Sequence, residues 1–216
     1  MRKTKKPLLI LIAGSSGSGK STIAQKILSN IPSHLNSITI CQDRYYIDQS
    51  HSNKKIENIN FDHPNAFDWK LMKSDLLKLL NNQEVNLPIY DYVNHCRKFE
   101  FDIVKNQDII IFEGIHVFYN EQITKLADLL VFIEVPRDES FIRRLERDIK
   151  YRGRTTDSVI NQWRSVVRPM YDSFIEPLKY KAHIIIPWTN TETKAVDIIS
   201  QGISNLIHNN ELLSKK

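Results

Sequence analysis

No run of apolar side chains in the 216 residues approaches the roughly 18 needed to cross a bilayer as a helix, which excludes the helical membrane-spanning classes. Cysteine is nearly missing: only Cys41 and Cys96 occur. Nothing pairs them with metal-ligand spacing, and His95 beside Cys96 lacks the second half of any zinc pattern. Two reduced thiols are therefore expected, with neither a disulfide framework nor a zinc site. No internal repeat or low-complexity linker divides the chain, so one domain over residues 1–216 is expected. The net charge of +5 is absent from the body. Six of the 30 basic residues (Arg2, Lys3, Lys5, Lys6, Lys215, Lys216) lie in the tails, leaving 24 against 25 acidic ones. A near-neutral body argues against sequence-independent nucleic-acid binding. The start imitates a secretory signal, basic from Met1 to Lys6 and apolar from Pro7 to Ala13. The apolar run is short and no A-x-A-like site follows, so the expected location is cytoplasmic.

What the chain does have is alternation. Short continuous apolar runs recur at Leu8 to Ala13, Ser37 to Cys41, Asp108 to Phe112, Leu129 to Val135 and His183 to Pro187, as expected of strands covered on both faces. Helical patterns lie between them at Ser21 to Ser29, Trp69 to Leu80, Glu139 to Lys150, Thr156 to Tyr180 (interrupted at Pro169 and Pro177) and Ala195 to Leu206. In Glu139 to Lys150 the apolar stripe is Phe141, Ile142, Leu145 and Ile149. This order predicts an α/β fold with a central parallel sheet of about five strands flanked by helices. Residues 84–104 break the rhythm and read as an inserted β-hairpin.

Gly14-Ser15-Ser16-Gly17-Ser18-Gly19-Lys20-Ser21 satisfies G-x-x-x-x-G-K-[ST], between an apolar strand and an amphipathic helix. Glycines let the backbone N–H groups of such a loop curl inward, and the helix start adds its positive dipole end. The reading is a P-loop NTPase fold. The loop and Thr22 after it form the ATP cradle, Lys20 reaches the β- and γ-phosphates, and the Ser21 hydroxyl ligates Mg²⁺. A regulatory GTPase would also carry a guanine-reading N-K-x-D, and Asn53-Lys54-Lys55-Ile56 fails at its last position.

A kinase further needs an acceptor pocket, a base and cations over the phosphates. Gln42-Asp43-Arg44-Tyr45-Tyr46 stands at a strand end, where open α/β sheets bind ligands. There Asp43 can accept a hydroxyl proton or hold the metal's water. Glu113 ends the third strand and offers a second carboxylate to Mg²⁺. Arg144, Arg147, Arg152 and Arg154 flank Gly153 at a helix–hinge–helix junction, a lid over residues 144–165 that closes on polyphosphate; Arg152 is placed nearest the phosphates and Arg147 with the ATP. The stretch N-F-D-H-P-N-A-F-D at residues 60–68 is too aromatic for a connector and too polar for a core strand. It reads as something polar held against an apolar wall.

G-S-S-G-S-G-K-S-T, Q-D-R-Y-Y, N-F-D-H-P-N-A-F-D, P-I-Y-D-Y-V-N-H-C-R, F-E-G and R-R-L-E-R-D-I-K-Y-R-G-R together resemble the successive motifs of the uridine kinase (uridine–cytidine kinase) family over roughly residues 8–187. The resemblance implies transfer of the γ-phosphoryl group of ATP to the 5′-hydroxyl of uridine or cytidine, with Mg²⁺. By that resemblance Asp62 binds the ribose hydroxyls. Tyr90 and His95 on the hairpin meet the pyrimidine, with Tyr46 also in the substrate site. Arg144, Arg154 and Gln162 complete the pocket, Asp43 is the base, and Ser21 and Glu113 hold the metal. A homotetramer is also implied. Arg44 and Trp163 depart from the family pattern, as does Pro187-Trp188-Thr189-Asn190 near the adenine. A same-fold kinase for another small acceptor, such as pantothenate or a sugar phosphate, and a nucleotide-gated regulatory protein are the other readings.

Overall fold

The computed structural model describes residues 6–49, 59–92, 94–187 and 194–213. The tail cations other than Lys6, the segment Asn53 to Ile56 and the loop Trp188 to Asn190 lie outside those residues.

Five parallel strands form the central sheet: β1 (Leu8–Gly14), β2 (Ser37–Cys41), β5 (Ile109–Gly114), β6 (Leu129–Glu134) and β7 (Ile184–Pro187), in the spatial order β2-β5-β1-β6-β7. β1 and β5 are buried along nearly their whole length, which is why they read as unbroken Leu/Ile runs without alternation. Their side chains still divide by parity. Leu9, Leu11, Ile110 and Phe112 face α2 (Trp69–Leu80), while Ile10, Ile12, Ile109 and Ile111 face α1 (Lys20–Ser29) and α7 (Lys194–Leu213). Two cores thus sandwich one sheet, and both are aliphatic enough to drive its burial.

The hairpin pairs β3 (Val85–Asp91) with β4 (Cys96–Val104), antiparallel, as expected from the sequence. Its register shifts between Pro88 and Tyr90, where Ile89 alone faces Lys98, Phe99 and Glu100. Such a bulge bends a ribbon, and here it separates the base of the hairpin from the tip that carries Tyr90 and His95. A single-turn helix α3 (Glu121–Thr124), capped by the Asn120 side chain, escaped sequence reading because four residues carry no period.

Two expectations need correction. In α4 (Arg137–Arg152) the apolar stripe is not the buried face: Ile142 and Ile149 are exposed, and Ser140, Arg144 and Asp148 are buried. The helix packs on the phosphate loop and on its own ion pairs, so its inner face is polar. Phe141 instead meets Trp163 from the following helix, with ring centres 5.1 Å apart. Nor does Pro169 interrupt the pattern after Thr156. The chain stays helical from α5 (Thr156–Gln162) through α6 (Arg168–Met170) to a 3-10 turn ending at Lys181, with wider π-turns at Trp163–Val167 and Tyr171–Ile175. A π-turn on each side of Pro169 accommodates a ring that offers no N–H to the helix.

Candidate active site

β1 delivers the chain into the phosphate loop, and α1 begins as the loop ends at Gly19. Gly17 has φ +82°, and a Cβ there would lie 2.4 Å from the Ser140 carbonyl oxygen. Only glycine permits α4 to rest on the loop this closely. The Lys20 ammonium donates to the Ser15 carbonyl at 2.8 Å, and the loop closes on itself through Ser18 N–H to Ser15 O at 3.1 Å. Burial pulls the Lys20 pKa below its ordinary value, while the Glu113 and Asp43 charges act to raise it.

Ser21 Oγ donates to Glu113 Oε1 at 2.8 Å, across from the end of β5. Asp43 sits on the 3-10 turn Gln42–Tyr45 that follows β2, so β2 and its neighbour β5 bring two carboxylates to one rim. The Asp43 carboxyl is pushed above the usual carboxylate range first by burial and then by the Glu113 charge, against the pull of Arg152, Lys20 and Arg147. A hydroxyl and two facing carboxylates are hard oxygen donors with excess negative charge, and they fit Mg²⁺.

A cleft of about 950 Å³ runs from this rim to the hairpin and to α5. That lies at the upper end of the range of ligand clefts, about 300–1,000 Å³, and is roomy enough for two small ligands sharing a boundary. At its far end the N-F-D-H-P-N-A-F-D stretch makes the wall foreseen for it. Tyr46 stacks on Phe67 at 4.5 Å and meets Phe61 at 5.5 Å and Tyr90 at 5.2 Å, and Phe61 stacks on His95 at 5.0 Å. Burial lowers the His95 pKa, which favours the neutral ring in that stack. Beside the wall, Asp62 Oδ1 lies 3.5 Å from Arg144 Nη1, both side chains more than nine-tenths buried. Gln162 Oε1 accepts from Arg144 Nη2 at 3.0 Å and also from Arg154. Asp62, Arg144, Arg154 and Gln162, distant in sequence, therefore converge.

Arg144, Arg147, Arg152 and Arg154 share one counter-ion that sequence reading passed over. Asp148, fully buried, has Arg147 at 2.8 Å, Arg152 at 3.4 Å, Arg144 at 3.5 Å and Arg154 at 4.0 Å. Its positions relative to Arg144 and Arg152, four residues either way on one helix face, were the available signal. Arg147 Nη2 also reaches Ser16 Oγ of the phosphate loop at 3.5 Å, whereas Arg152 lies over the Tyr92 ring at 5.2 Å. The Tyr92 hydroxyl in turn approaches Asp43 Oδ2 at 3.4 Å. Gly153 ends α4 with φ +62° and nothing within 4 Å of where a Cβ would stand. His116, also missed, is fully buried behind the acceptor end. Its Nε2 lies 2.8 Å from the Asp62 carbonyl, and its backbone N–H donates to Gln42 Oε1 at 2.8 Å. Thr22, exposed in α1's first turn, lines the same cleft beside Lys20 and Ser21.

The family model for the phosphoribulokinase / uridine kinase family matches residues 9–195. A uridine kinase of Ureaplasma parvum is 45% identical over 204 residues, covering 94% of this chain and 99% of that protein. One of Clostridium tetani is 46% identical over 209 residues, covering 96% and 100%. The solved phosphoribulokinase of Rhodobacter spheroides shares the fold at a TM-score of 0.60 with 16% identity, over 83% of this chain and 69% of that one. With a phosphate loop, a carboxylate rim and an arginine-bearing helix in one cleft, and relatives matched end to end, this chain belongs to the phosphoribulokinase / uridine kinase family.

Proposed function

We propose that the chain is a uridine kinase, transferring the γ-phosphoryl group of ATP to the 5′-hydroxyl of uridine, and of cytidine, in pyrimidine salvage. The observation that carries this reading is the continuous cleft. A triphosphate loop stands at one end, an aromatic wall with a buried Asp62–Arg144 pair at the other, and Asp43 between them. The uridine kinases matched along nearly the full chain support the choice of acceptor.

In this reading the Gly14–Ser21 loop holds the triphosphate and Asp62 takes the ribose diol. The pyrimidine lies among Tyr46, Tyr90 and His95, with Arg144, Arg154 and Gln162 completing the pocket. Ser21, Glu113 and Asp43 would hold Mg²⁺, which would supply positive charge against the polyphosphate. Asp43 takes the 5′-hydroxyl proton as that oxygen attacks the γ-phosphorus. The bond from phosphorus to the β–γ bridging oxygen breaks, and ADP leaves. Lys20, Arg147 and Arg152 stabilise the transferring group, Arg152 by swinging inward about Gly153 as the 144–165 segment closes.

No helix among the described residues is long and apolar enough to cross a membrane. A cytoplasmic location and the homotetramer of the family resemblance belong to the same proposal, and light scattering on the purified chain tests the latter. The reading itself is tested by incubating the protein with Mg-ATP and a panel of nucleosides, pantothenate and sugar phosphates. UMP and CMP are the expected products. Phosphorylation of another metabolite with none of uridine or cytidine would favour the other kinase, and ATP binding with no acceptor-dependent ADP a regulatory protein.

A further inference from the structure

The hairpin that supplies Tyr90 and His95 is a two-stranded ribbon outside the central sheet, bent by a register shift in its middle. The ribbon also packs: Val85, Leu87, Tyr90 and Val104 are buried in the same core as Tyr45 and Tyr46 at the Asp43 turn. Apolar packing is non-directional, so the alignment of hairpin and turn rests on the directional bonds between them. Two arginines make such bonds, in opposite directions and on opposite sides of the bend. From the tip, Arg97 donates through Nε to the Tyr46 carbonyl at 3.0 Å, and its Nη1 and Nη2 both lie 3.2 Å from Asp68 Oδ2. From the catalytic turn, Arg44 donates through Nη1 to the Pro88 carbonyl at 3.0 Å and sits 2.8 Å from Asp102 Oδ2. Pro88 and Asp102 are on β3 and β4 at the base of the hairpin, before the bend.

We infer that Arg44 is a positioning residue: it staples the base of the acceptor hairpin to the turn that carries Asp43, and so fixes the distance between the hairpin's Tyr90 and His95 and the catalytic carboxylate. Three features argue for positioning over general stability. Arg44 is the residue next to Asp43, on a turn of only four residues, so any movement of its backbone is movement of Asp43. Its bonds cross between two substructures and reach nothing in either aliphatic core. The Arg44 and Asp102 side chains are 29% and 51% exposed, so the ion pair adds little to stability, and the directional bond to Pro88 O is what sets geometry. Losing about 1 Å of alignment between a base and its acceptor is costly to rate even where it is cheap in stability.

The test compares wild type, Arg44→Ala, Arg44→Lys and Asp102→Asn. It rests on the uridine kinase reading only for its kinetic arm. By hydrogen exchange, amides of β3 and β4 should exchange about tenfold faster in Arg44→Ala, with β1 and β5 unchanged, which needs no acceptor. In steady state, Arg44→Ala should raise the uridine KM about tenfold and lower kcat, with the KM for ATP and the melting temperature close to wild type. Asp102→Asn should give a smaller effect of the same kind. Arg44→Lys should recover part, since one ammonium keeps the charge but not both contacts. Unchanged hairpin exchange, or a KM for ATP that rises as much as that for uridine, would overturn the proposal. Wild type inactive on uridine but with the exchange result as expected would keep the staple and remove the acceptor assignment.

Discussion

The carboxylate of Asp148, with no exposure to solvent, lies 2.8 Å from Arg147 Nη2 and 3.4 Å from Arg152 Nη1. One anion thus gathers the guanidiniums that the proposed mechanism sends to the phosphates, and it leaves them with a net positive surplus. In the proposed mechanism, arriving polyphosphate would complete the neutralisation that Asp148 begins. Asp148→Asn should release this cluster. Breaking a buried ion pair costs about 3 kcal/mol, or roughly 7 °C in Tm for a chain of this size, and kcat should fall with it. Calorimetry beside kinetics checks this. An unshifted Tm would mean the arginines are held by something other than Asp148.

Asp43 separates chemistry from binding. Asp43→Asn keeps the shape of the turn but removes the proton acceptor, so kcat should drop by about 10²- to 10⁴-fold with the melt unchanged. Rate measurements at saturating Mg-ATP and uridine decide. More than about a tenth of wild-type kcat would take Asp43 out of the base role.

His116 gives a pH dependence of stability with a definite sign. Burial lowers its pKa to about 4 from an ordinary 6.5, with the Asp62 carbonyl opposing. Below pH 6.5 the unfolded chain binds a proton that the folded one refuses. Stability is therefore full above that pH and declines by up to about 1.4 kcal/mol per pH unit as pH falls toward 4. Urea melts at pH 4.5, 5.5 and 6.5 should show this slope reduced in His116→Gln. Equal slopes in both proteins would assign the pH dependence elsewhere.

The parallel sheet was legible because strands buried on both faces must be written as continuous apolar runs, and β1 covers its run, Leu8 to Ala13. The helix α2 was equally clear, with its period intact from Trp69 to Leu80 and Asp68 capping its start. α4 misled for a physical reason. Periodicity identifies the apolar face, but this helix buries ionic groups over a phosphate loop, so its Ile142 and Ile149 remain outside. The candidate site residues were found by motif. Their supports were not, because Arg97 and His116 act on residues far along the chain, His116 through a backbone carbonyl and Arg97 through one beside the Asp68 carboxylate, and a carbonyl leaves no mark in a sequence. Arg44 was visible only as an unexpected residue beside Asp43.

Asp62 provides the most specific test of the acceptor end. Its carboxylate, beside Arg144 and against the aromatic wall, is placed to accept from a vicinal diol. Asp62→Ala should raise the uridine KM steeply while leaving ATP binding alone, and 2′-deoxyuridine should be a poor substrate of the wild type. Removing a hydrogen bond to a charged group costs about 1.5–3 kcal/mol, or roughly 10- to 150-fold in kcat/KM. Comparable turnover of the ribo- and deoxyribonucleoside would contradict a diol clamp.

The most direct test of the whole account is to follow the phosphorus itself. The wild-type protein, with Mg-ATP and uridine, should convert ATP to ADP and uridine to 5′-UMP in equal amounts, read by ³¹P NMR of the reaction mixture. Omitting uridine should stop ADP formation, and Asp43→Asn should slow both products together. ADP accumulating without UMP, or at a rate indifferent to uridine, would contradict the assignment of this cleft to nucleoside phosphorylation.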